Sequence, residues 1–532
     1  MSMATAPLSR LAVSLVLATV SAAGPLVAQC PDGTPAPCRS VTSRPSPPPD
    51  SASVAVLFFE NVTGDTADAY VADGLSDAII TRLAQAPSVH VKSRGAVARL
   101  RGLARSDPAA VGRALRVMSL VTGAVRRAGR RLRITVELTR AETGVVLWSE
   151  QFTRGDGDLL GIEEEVARSV ARAVAGKLLP QERASLSAPL TGNRAAYEHF
   201  LRGNYFLAQR DPVAATAAAR EFETAARLDS AFSEALARQA VVFEFFLDWG
   251  WTYRSLPPES LLARGVAAAD RALALNPLSS DAWLARALLL AKRSPRTYEG
   301  VEAAFARALA LDSSNPELQH QFGVIQWQLG RDSAAIRALE RALELEPGRS
   351  ITFFQLALSC ATMRQPDESR RWLDSAVASD PTFVYAFALR AYARAQLRDL
   401  PGARDDAQHA LQVGGSLQLP GEAALAVVDA LAGDTAGARG RAATLERYFV
   451  DPTRPTFREG LFAASAFVAG GDKDGALRVL ESVQPRGLEL WSGLRLPVFD
   501  PLRAEPRFLR LMEDTRPPSL RGRGTAPALP GS

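Results

Sequence analysis

Residues 340–348 read ERALELEPG, and the alanine near the centre of this stretch recurs along the chain at an interval of 34 residues. The same alanine stands in ARALALDSS (306–314), in DSAVASDP (374–381) and in QHALQVGG (408–415). The four positions are Ala308, Ala342, Ala376 and Ala410. A residue that ends a helix follows each alanine five positions later, and these residues are Ser313, Pro347, Pro381 and Gly415. The spacing predicts repeated pairs of helices joined by short turns.

A 34-residue helix–turn–helix period with a small residue at the helix crossing is typical of tetratricopeptide repeats. Alanine is needed there because the second helix of each unit approaches its neighbours so closely that a larger side chain would overpack the contact. Other small residues continue the phase outward, with insertions between some units: Ala225, Ala272, Gly433, Ala438, Gly471 and Ala476. We therefore predict an all-α superhelical solenoid of about eight helical hairpins over residues 193–514.

Residues 53–180 have a different pattern, in which predicted strands and helices alternate. Apolar and polar residues alternate in RLRITVELTR (131–140), and this period of two predicts a strand with one buried face. Val71, Leu75 and Ile79 recur every four residues and predict an amphipathic helix. The region is therefore predicted to be an α/β (α+β) domain, which gives the whole chain a mixed fold class.

Three separated motifs within residues 53–179 carry a resemblance to a known family. The motifs SVAVLFFENVTGDTADAYVADGLSDAIITRLAQ, VHVKSR and LVTGAVRRAGRRLRITVELTRAETGVVLWSEQFTR resemble the amino-terminal α/β domain of TolB-like proteins. Related copies precede tetratricopeptide arrays in many bacterial signalling and regulatory proteins. The resemblance implies an assembly or sensory module rather than an enzyme. Those relatives carry a cyclase, kinase or winged-helix domain where this chain has a signal-peptide-like segment, so their signalling outputs are not transferred.

The amino-terminal residues 1–28 have the pattern of a signal peptide. Arg10 precedes the apolar run LAVSLVLATV, and small residues and Gly24-Pro25 follow it. The run is short for a membrane span, so we expect an exported protein, periplasmic, envelope-associated or secreted, with no transmembrane segment in the mature chain. Residues 29–52 are predicted to be a proline-rich linker, and residues 515–532 a disordered tail.

Cys30 leaves several alternatives open. The stretch LVAQC (26–30) resembles a bacterial lipoprotein processing box, but Gln29 stands where that pattern has a small residue, so a lipid anchor at Cys30 is the less favoured interpretation. A disulfide between Cys30 and Cys38 would close a turn-rich loop in an oxidising compartment. The remaining interpretation is two free thiols in an unstructured segment.

The sequence favours a protein without catalysis, metal or cofactor. Its four histidines are scattered, and no Cys-x-x-Cys pair or phosphate-binding Gly-x-x-x-x-Gly-Lys loop is present. GLSDA (74–78) imitates a nucleophile elbow, but Ser76 falls inside a predicted helix, whereas an elbow needs a tight strand-to-helix turn.

Three groups of residues are candidates for binding. The segment FEFFLDWGWTYRSLPPES is dense in aromatic residues, which are common at binding hot spots but also form local cores. The repeat phase places further candidates on the first helix of successive hairpins, where they face either a groove or the next hairpin. The partner-binding candidates are Trp249, Trp251, Tyr253, Glu317, His320, Val324, Trp327, Phe354, Tyr385 and Tyr392.

The third group is the arginine-rich hairpin VRRAGRRLR. It is a candidate anion patch, although a solvated edge protected by charge is the favoured alternative. Stacking aromatic residues do not accompany it, so we do not expect nucleic acid as a partner. The patch residues are Arg126, Arg127, Arg130, Arg131 and Arg133.

These patterns together predict an exported scaffold that binds protein or peptide partners through the groove of its helical array. The α/β module would then be an assembly or docking domain. The alternative is a regulatory or sensory protein whose α/β module or aromatic segment binds a small ligand and signals through the array.

Overall fold

The computed structural model describes residues 50–62, 69–84, 86, 88–98, 100, 107–129, 131–155, 159–176, 178–187, 189–209, 211–292, 299–415, 417–446, 457–483, 487–517 and 520. The predicted signal peptide (1–28), Cys30 and Cys38 lie outside these residues, as do nearly all of the linker (29–52), Arg130 and residues 521–532 of the tail. Export, acylation and disulfide formation therefore stay predictions.

The amino-terminal module is built on one sheet. Its strands follow the order β3-β1-β4-β5-β6, and β2 pairs with β4 off this path. Strand β1 is parallel to β3 and β4, whereas β4, β5 and β6 form an antiparallel meander. The strands are β1 Ser53–Val56, β2 Glu60–Asn61, β3 His90–Val91, β4 Ser119–Ala128, β5 Arg131–Arg140 and β6 Val146–Gly155.

Helices cover both faces of the parallel part of the sheet. Helices α1 and α4 share a core with β1, β4 and β5, and Ile134 and Val136 of β5 are fully buried in it, as the period of two predicts. Helices α2 and α3 cover the opposite face with Val97 and Val111. The helices are α1 Ala69–Leu83, α2 Arg94–Ala98, α3 Pro108–Leu115, α4 Leu159–Ala175 and α5 Pro180–Ser187.

The rest of the described chain is helical. It forms eight consecutive helical pairs, and three short helices follow the last pair. The pairs are α6 Arg194–Leu207 with α7 Pro212–Leu228, α8 Ser233–Trp249 with α9 Pro258–Leu275, α10 Ser280–Ala291 with α11 Glu299–Leu311, α12 Pro316–Gln328 with α13 Asp332–Leu345, α14 Ser350–Thr362 with α15 Pro366–Ser379, α16 Val384–Gln396 with α17 Leu400–Gly414, α18 Leu419–Leu431 with α19 Thr435–Glu446, and α20 Phe457–Ala469 with α21 Lys473–Ser482. The short helices are α22 Leu488–Leu494, a 3-10 helix Pro497–Leu502 and α23 Pro506–Thr515.

The small residues of the repeat lie at the helix contacts. All six alanines of the repeat phase from Ala225 to Ala410 have no exposed surface: Ala225, Ala272, Ala308, Ala342, Ala376 and Ala410. At Gly323, on the first helix of its pair, an added Cβ would lie 2.6 Å from Leu339 Cγ of the second helix. The predicted mixed fold class, a small α/β region followed by an all-α array of tetratricopeptide type, is thus confirmed.

The module and the array pack together within one compact unit. Arg82 Nε of α1 donates to Glu163 Oε1 of α4 at 2.7 Å, and both side chains are fully buried. The hydroxyl of Tyr197 on α6 donates to the other oxygen of Glu163. Burial raises the pKa of Glu163, which the Arg82 guanidinium partly offsets. A buried polar cluster therefore joins the module to the first helix of the array.

Candidate protein-binding face of the helical array

The predicted partner-binding residues of the array lie on α12, α14 and α16, and we call the side of these helices that carries them the first-helix face. Val324, Phe354 and Tyr385 are half-buried, and the Phe354 ring packs 5.2 Å from that of Phe383. Glu317 keeps about a third of its side chain exposed (35%) and forms an ion pair with Arg349. These residues offer part of their surface.

Two of the predicted residues are buried. His320 Nδ1 lies 3.1 Å from the Thr352 hydroxyl, and Trp327 Nε1 donates to Thr362 Oγ1 at 3.3 Å. Each keeps only 4% of its surface exposed. Their side chains join α12 to α14, so in this structure they do not present surface to a partner.

The carboxyl-terminal part of the chain covers much of the first-helix face. The Tyr385 ring lies 5.8 Å from Phe462 of α20, and Phe462 packs against both the α14–α18 core and the carboxyl-terminal core. Burial raises the pKa of Tyr385. Burial, with Asp500 of the 3-10 helix as the next cause, also raises the pKa of Tyr392. The two tyrosines therefore face residues of the same chain.

Arg495, which follows α22, contacts the turn between α12 and α13. Its Nη1 donates to Trp327 O at 3.2 Å, and its guanidinium forms an ion pair with Asp332. Both side chains are largely buried, with 16% and 15% exposed. Arg364 Nη1, in the next hairpin, donates to Arg495 O at 3.0 Å, and Arg364 Nη2 lies 2.6 Å from Asp500 Oδ1. Two successive hairpins thus hold the carboxyl-terminal segment.

A second set of contacts lies where α8, α10, α20 and α22 meet. Lys292 Nζ is 2.6 Å from Asp248 Oδ1, 2.8 Å from Glu489 Oε1 and 3.9 Å from Glu244 Oε1. Arg458 lies 3.4 Å from the other Asp248 oxygen. We call these five residues the charge cluster; it links the second, third and eighth hairpins to α22.

Electrostatics assign the protonation states in the charge cluster. Burial, followed by the carboxylate of Asp248, raises the pKa of Glu244 to about 8. Although burial opposes it, the Lys292 ammonium and the Arg458 guanidinium hold the pKa of Asp248 below its usual range. The proton goes to Glu244 because Lys292 is closer to Asp248. At neutral pH the Lys292 ammonium and the Arg458 guanidinium therefore meet the Asp248 carboxylate beside a protonated Glu244.

The aromatic segment divides into a buried and an exposed part. Tyr253 has no exposed surface, its ring lies 5.3 Å from that of Phe246, and its hydroxyl donates to Glu223 at 3.0 Å. Tyr253 thus belongs to a local core, which corrects its prediction as a partner-binding residue. Trp249 is 47% exposed, and it stacks on half-buried Trp251 at 5.8 Å.

An open cleft adjoins this segment. Its volume is about 760 Å³, and it lies between the first turns of α7 and the loop after α8. Val213 is exposed on one side (80%), and Arg220 and Trp251 contribute a cation and an aromatic face. The lining residues are Pro212, Val213, Thr216, Ala217, Arg220, Gly250, Trp251 and Thr252.

The arginine-rich hairpin is the end of strands β4 and β5. Arg126 pairs directly with Arg133, and Arg131 is paired with Ala128 beside them, so these three arginines share one sheet face. They are exposed, whereas Arg127 is half-buried. The hairpin therefore gathers cations on its outer face, which is compatible with both an anion patch and a charge-protected edge.

Sequence reasoning missed one more contact between module and array. Lys92 Nζ, just after β3, donates to Leu345 O at the end of α13 at 3.0 Å. The neighbouring Ser93 hydroxyl donates to Glu346 Oε2 at 3.0 Å. Burial lowers the pKa of Lys92, with Arg116 as the next cause. No local pattern marks such a contact, because its partners are 253 residues apart in the chain.

The Ser76 hydroxyl and the Cys360 thiol, two groups with nucleophilic chemistry, lie within packed structure. Ser76 accepts a hydrogen bond from Phe59 N and donates one to Ala72 O, both at 2.9 Å, within helix α1. Cys360 is a buried free thiol. Among the residues that the structure describes, no three His, Cys, Asp or Glu side chains gather as a metal site requires. In the same part of the chain, no helix has both the length and the apolar character needed to cross a membrane.

Comparisons with known proteins extend this description only slightly. No protein-family model matches the chain. A curated relative, "Putative adenylate cyclase 3" of Rhizobium meliloti (strain 1021), is 29% identical over 213 residues, which cover 40% of this chain and 36% of the relative. The chain thus spans little more than a third of that relative's length, and the relative's name does not transfer an activity to it.

Several solved structures are similar to the helical array. PilF of Pseudomonas aeruginosa is 19% identical with a TM-score of 0.34, and the match covers 42% of this chain and 94% of PilF. Yeast Tom70 is 17% identical with a TM-score of 0.39, over 61% of this chain and 69% of Tom70. A thermophilic tetratricopeptide protein of Thermus thermophilus is 19% identical with a TM-score of 0.32, over 37% of this chain and 98% of that protein. Such values carry no function to this chain, whose own helical pairs define it as a tetratricopeptide-type array behind an α/β module.

Proposed function

We propose that this chain is a non-catalytic scaffold that binds a protein partner through the first-helix face. The observation that supports the proposal most is that helical segments of the same chain already pack here: Phe462 of α20 lies 5.8 Å from Tyr385, and Arg495, which follows α22, contacts the end of α12 and Asp332. A surface that accommodates one helix through apolar and charged contacts is chemically suited to accept another. The α/β module then acts as an assembly or docking domain.

The distribution of titratable groups favours binding over catalysis. Two buried acids with raised pKa values, Glu163 and Glu244, lie beside Arg82 and Lys292 at contacts between helices, where they hold elements together. A catalytic acid or base instead lies within reach of a substrate in a cleft. We therefore assign these groups a structural role.

Export and the TolB-like character of the module are further parts of the proposal. They are supported by the amino-terminal sequence pattern and by the motifs of residues 53–179. Mass spectrometry of the mature amino terminus tests cleavage and acylation of Cys30 in one measurement. An unprocessed amino terminus on the protein from its native cell would contradict export.

Selection from a library of displayed helical peptides tests the scaffold function. Peptides selected on the full chain should bind saturably, and their affinity should fall in Phe354→Ala and Tyr385→Ala variants that stay folded by circular dichroism. Val213→Ala is the matched control, since it shortens an exposed apolar side chain on α7, which is not one of the helices of the first-helix face. Equal losses in all three variants, or no enriched peptide, would contradict binding at this face.

The cleft beside Trp251 supports a second candidate, a regulatory protein that senses a small ligand. An aromatic face and a guanidinium in an open cleft suit a planar anionic molecule. A thermal-shift screen of such molecules tests this function, because a ligand of the folded state raises the apparent stability. A shift that persists in Arg220→Ala and Trp251→Ala variants would place the ligand elsewhere.

A further inference from the structure

Helix α22 has two different faces. Leu490 and Leu494 are fully buried in the carboxyl-terminal core with α20 and α21. Leu488 is instead buried in the core of α8 to α12, together with Leu318 and Ile325. Leu488, Trp491 and Arg495 follow one another at helical spacing, three and four residues apart, and all three contact the array. Helix α22 therefore lies between the eighth hairpin and the fourth hairpin and packs against both.

The array side of this contact has features of a recognition site. Gly330, in the turn between α12 and α13, has a φ of +72°, and a Cβ there would lie 2.8 Å from Trp491 Cη2. The indole keeps 6% of its surface exposed and lies beneath the Arg495 guanidinium, 5.0 Å from the ring centroid. An indole against a turn that lacks a side chain, next to a charge pair, is a typical hot-spot arrangement.

The charged side chains on the two sides of the contact are complementary. Arg495 reaches Asp332 and Trp327 O. Thr362 Oγ1 accepts from Trp327 Nε1 at 3.3 Å, and it lies 3.2 Å from the second Asp332 oxygen and 2.8 Å from Ser359 O, the closer acceptor for its one proton. At the other end of α22, Glu489 reaches Lys292. Trp491 thus lies between Glu489 of α22 and Arg495, which follows α22. Each of these two charged residues pairs with an opposite charge on the array, Lys292 and Asp332 respectively.

A helix of seven residues has little stability of its own in water. Its conformation in the chain therefore depends on docking. The ion pairs that hold it, Arg495–Asp332 and Glu489–Lys292, join largely buried side chains, whose exposed fractions lie between 14% and 26%. A competing helix must therefore supply the same leucine, tryptophan and arginine contacts to take the place of the docked segment.

We propose that the surface formed by the end of α12, Gly330, Asp332 and Arg364 is a recognition site for an amphipathic helix, and that α22 is its internal occupant. The partner is a protein helix with leucine, tryptophan three residues later and arginine four residues after that. Binding of the partner displaces α22. This inference rests on the proposed function, for which it names the class of partner.

A labelled peptide of residues 487–503, GLELWSGLRLPVFDPLR, tests the proposal by fluorescence anisotropy with the full chain. Weakening the internal occupant frees the site, so the peptide should bind a Trp491→Ala/Arg495→Ala variant at least about tenfold more tightly than the unmodified chain. Arg507→Ala is the control, because Arg507 pairs with Glu481 away from this site. If the double variant does not fold, Arg495→Ala alone takes its place.

Charge reversal identifies the site. A peptide with Arg495→Glu should lose binding to the Arg495→Ala chain and regain it when the chain also carries Asp332→Arg. Equal binding of a Trp491→Ala peptide, or no binding of the native peptide to a folded variant, overturns the inference. A further outcome is that the unmodified chain forms concentration-dependent dimers that dissociate when the peptide is added. In that outcome the occupant is a second copy of the chain, and the assignment to a different protein is overturned.

The experiments distinguish failure of the proposed scaffold function from failure of this recognition site. Displayed peptides that depend on Phe354 and Tyr385 but lack the leucine–tryptophan–arginine pattern would leave the scaffold function standing and remove this site. Absence of binding in both experiments would remove both.

Discussion

Gly330→Ala separates the docking of α22 from the stability of the array. Alanine at a φ of +72° costs about 1–2 kcal/mol by itself. The new Cβ would also lie 2.8 Å from Trp491 Cη2, and such overpacking costs a further 1–3 kcal/mol, roughly, unless the indole moves away. Gly433 occupies the equivalent turn between α18 and α19 with a φ of +91° and has open space around it, so Gly433→Ala carries the backbone cost alone.

Limited trypsin digestion under native conditions measures the difference, since Arg495 and Arg503 are cleavage sites inside the docked segment. When opening is fast, the cleavage rate follows the population of the open form. An extra cost of about 1–3 kcal/mol should therefore accelerate cleavage at these sites by about 5- to 150-fold in Gly330→Ala relative to Gly433→Ala. Equal cleavage rates in the two variants would refute the docking of Trp491 against Gly330.

The remaining predictions concern the array and its buried charges. Ala376→Leu should destabilise the fold by about 1–3 kcal/mol in urea unfolding, whereas Ala378→Leu, at an exposed position of the same helix, should be nearly neutral; similar effects would contradict the close helix crossing. Because the pKa of Glu244 is raised to about 8, its protonated form is part of the fold, and stability should fall as pH rises from 4.5 through about 8. Glu244→Gln should flatten this part of the pH profile, and an unchanged slope would place the proton elsewhere. Tyr197→Phe removes the hydroxyl that donates to buried Glu163, and it should lower the free energy of unfolding by about 1–3 kcal/mol, measured by calorimetry. An unchanged free energy of unfolding would mean that water, and not Tyr197, satisfies the Glu163 carboxyl group.

Local patterns predicted the parts of the fold that local interactions determine. The alanines at 34-residue spacing are buried at helix crossings, because close approach of two helices leaves room only for a methyl group. The alternation in β5 places Leu132 and Ile134 in the core, because successive side chains of a strand point to opposite faces. Both signals are periodic, so a single sequence contains them.

The contacts that cover the first-helix face had no such signal. Lys292 and Glu489 are 197 residues apart, and their contact depends on how the third to eighth hairpins stack. Small differences in the rotation between neighbouring hairpins add up along an array. Which distant hairpins come into contact therefore cannot be predicted from local sequence patterns. The candidates Tyr385 and Tyr392 were placed on the correct helices by the phase, but what faces them depends on that accumulated geometry.

Tyr253 shows a shorter-range limit. From the sequence, the aromatic residues of the segment Trp249–Tyr253 fit either a binding surface or a local core. Gly250, however, adopts a φ of +64°, which ends α8 and turns the chain back. The Tyr253 ring consequently returns to the α8 side chains Phe243 and Phe246. The left-handed conformation of Gly250 therefore places Tyr253 in the core and not on the surface.

Hydrogen exchange of the amides in α22 and the following 3-10 helix, residues 488–502 of the full chain, tests the account most directly. A seven-residue helix that is not docked exchanges at nearly the rate of an unfolded peptide. We expect protection comparable to that of α20, and a loss of this protection, with α20 unchanged, in the Trp491→Ala/Arg495→Ala variant. Amides of residues 488–502 that exchange at unfolded rates in the unmodified chain would contradict it.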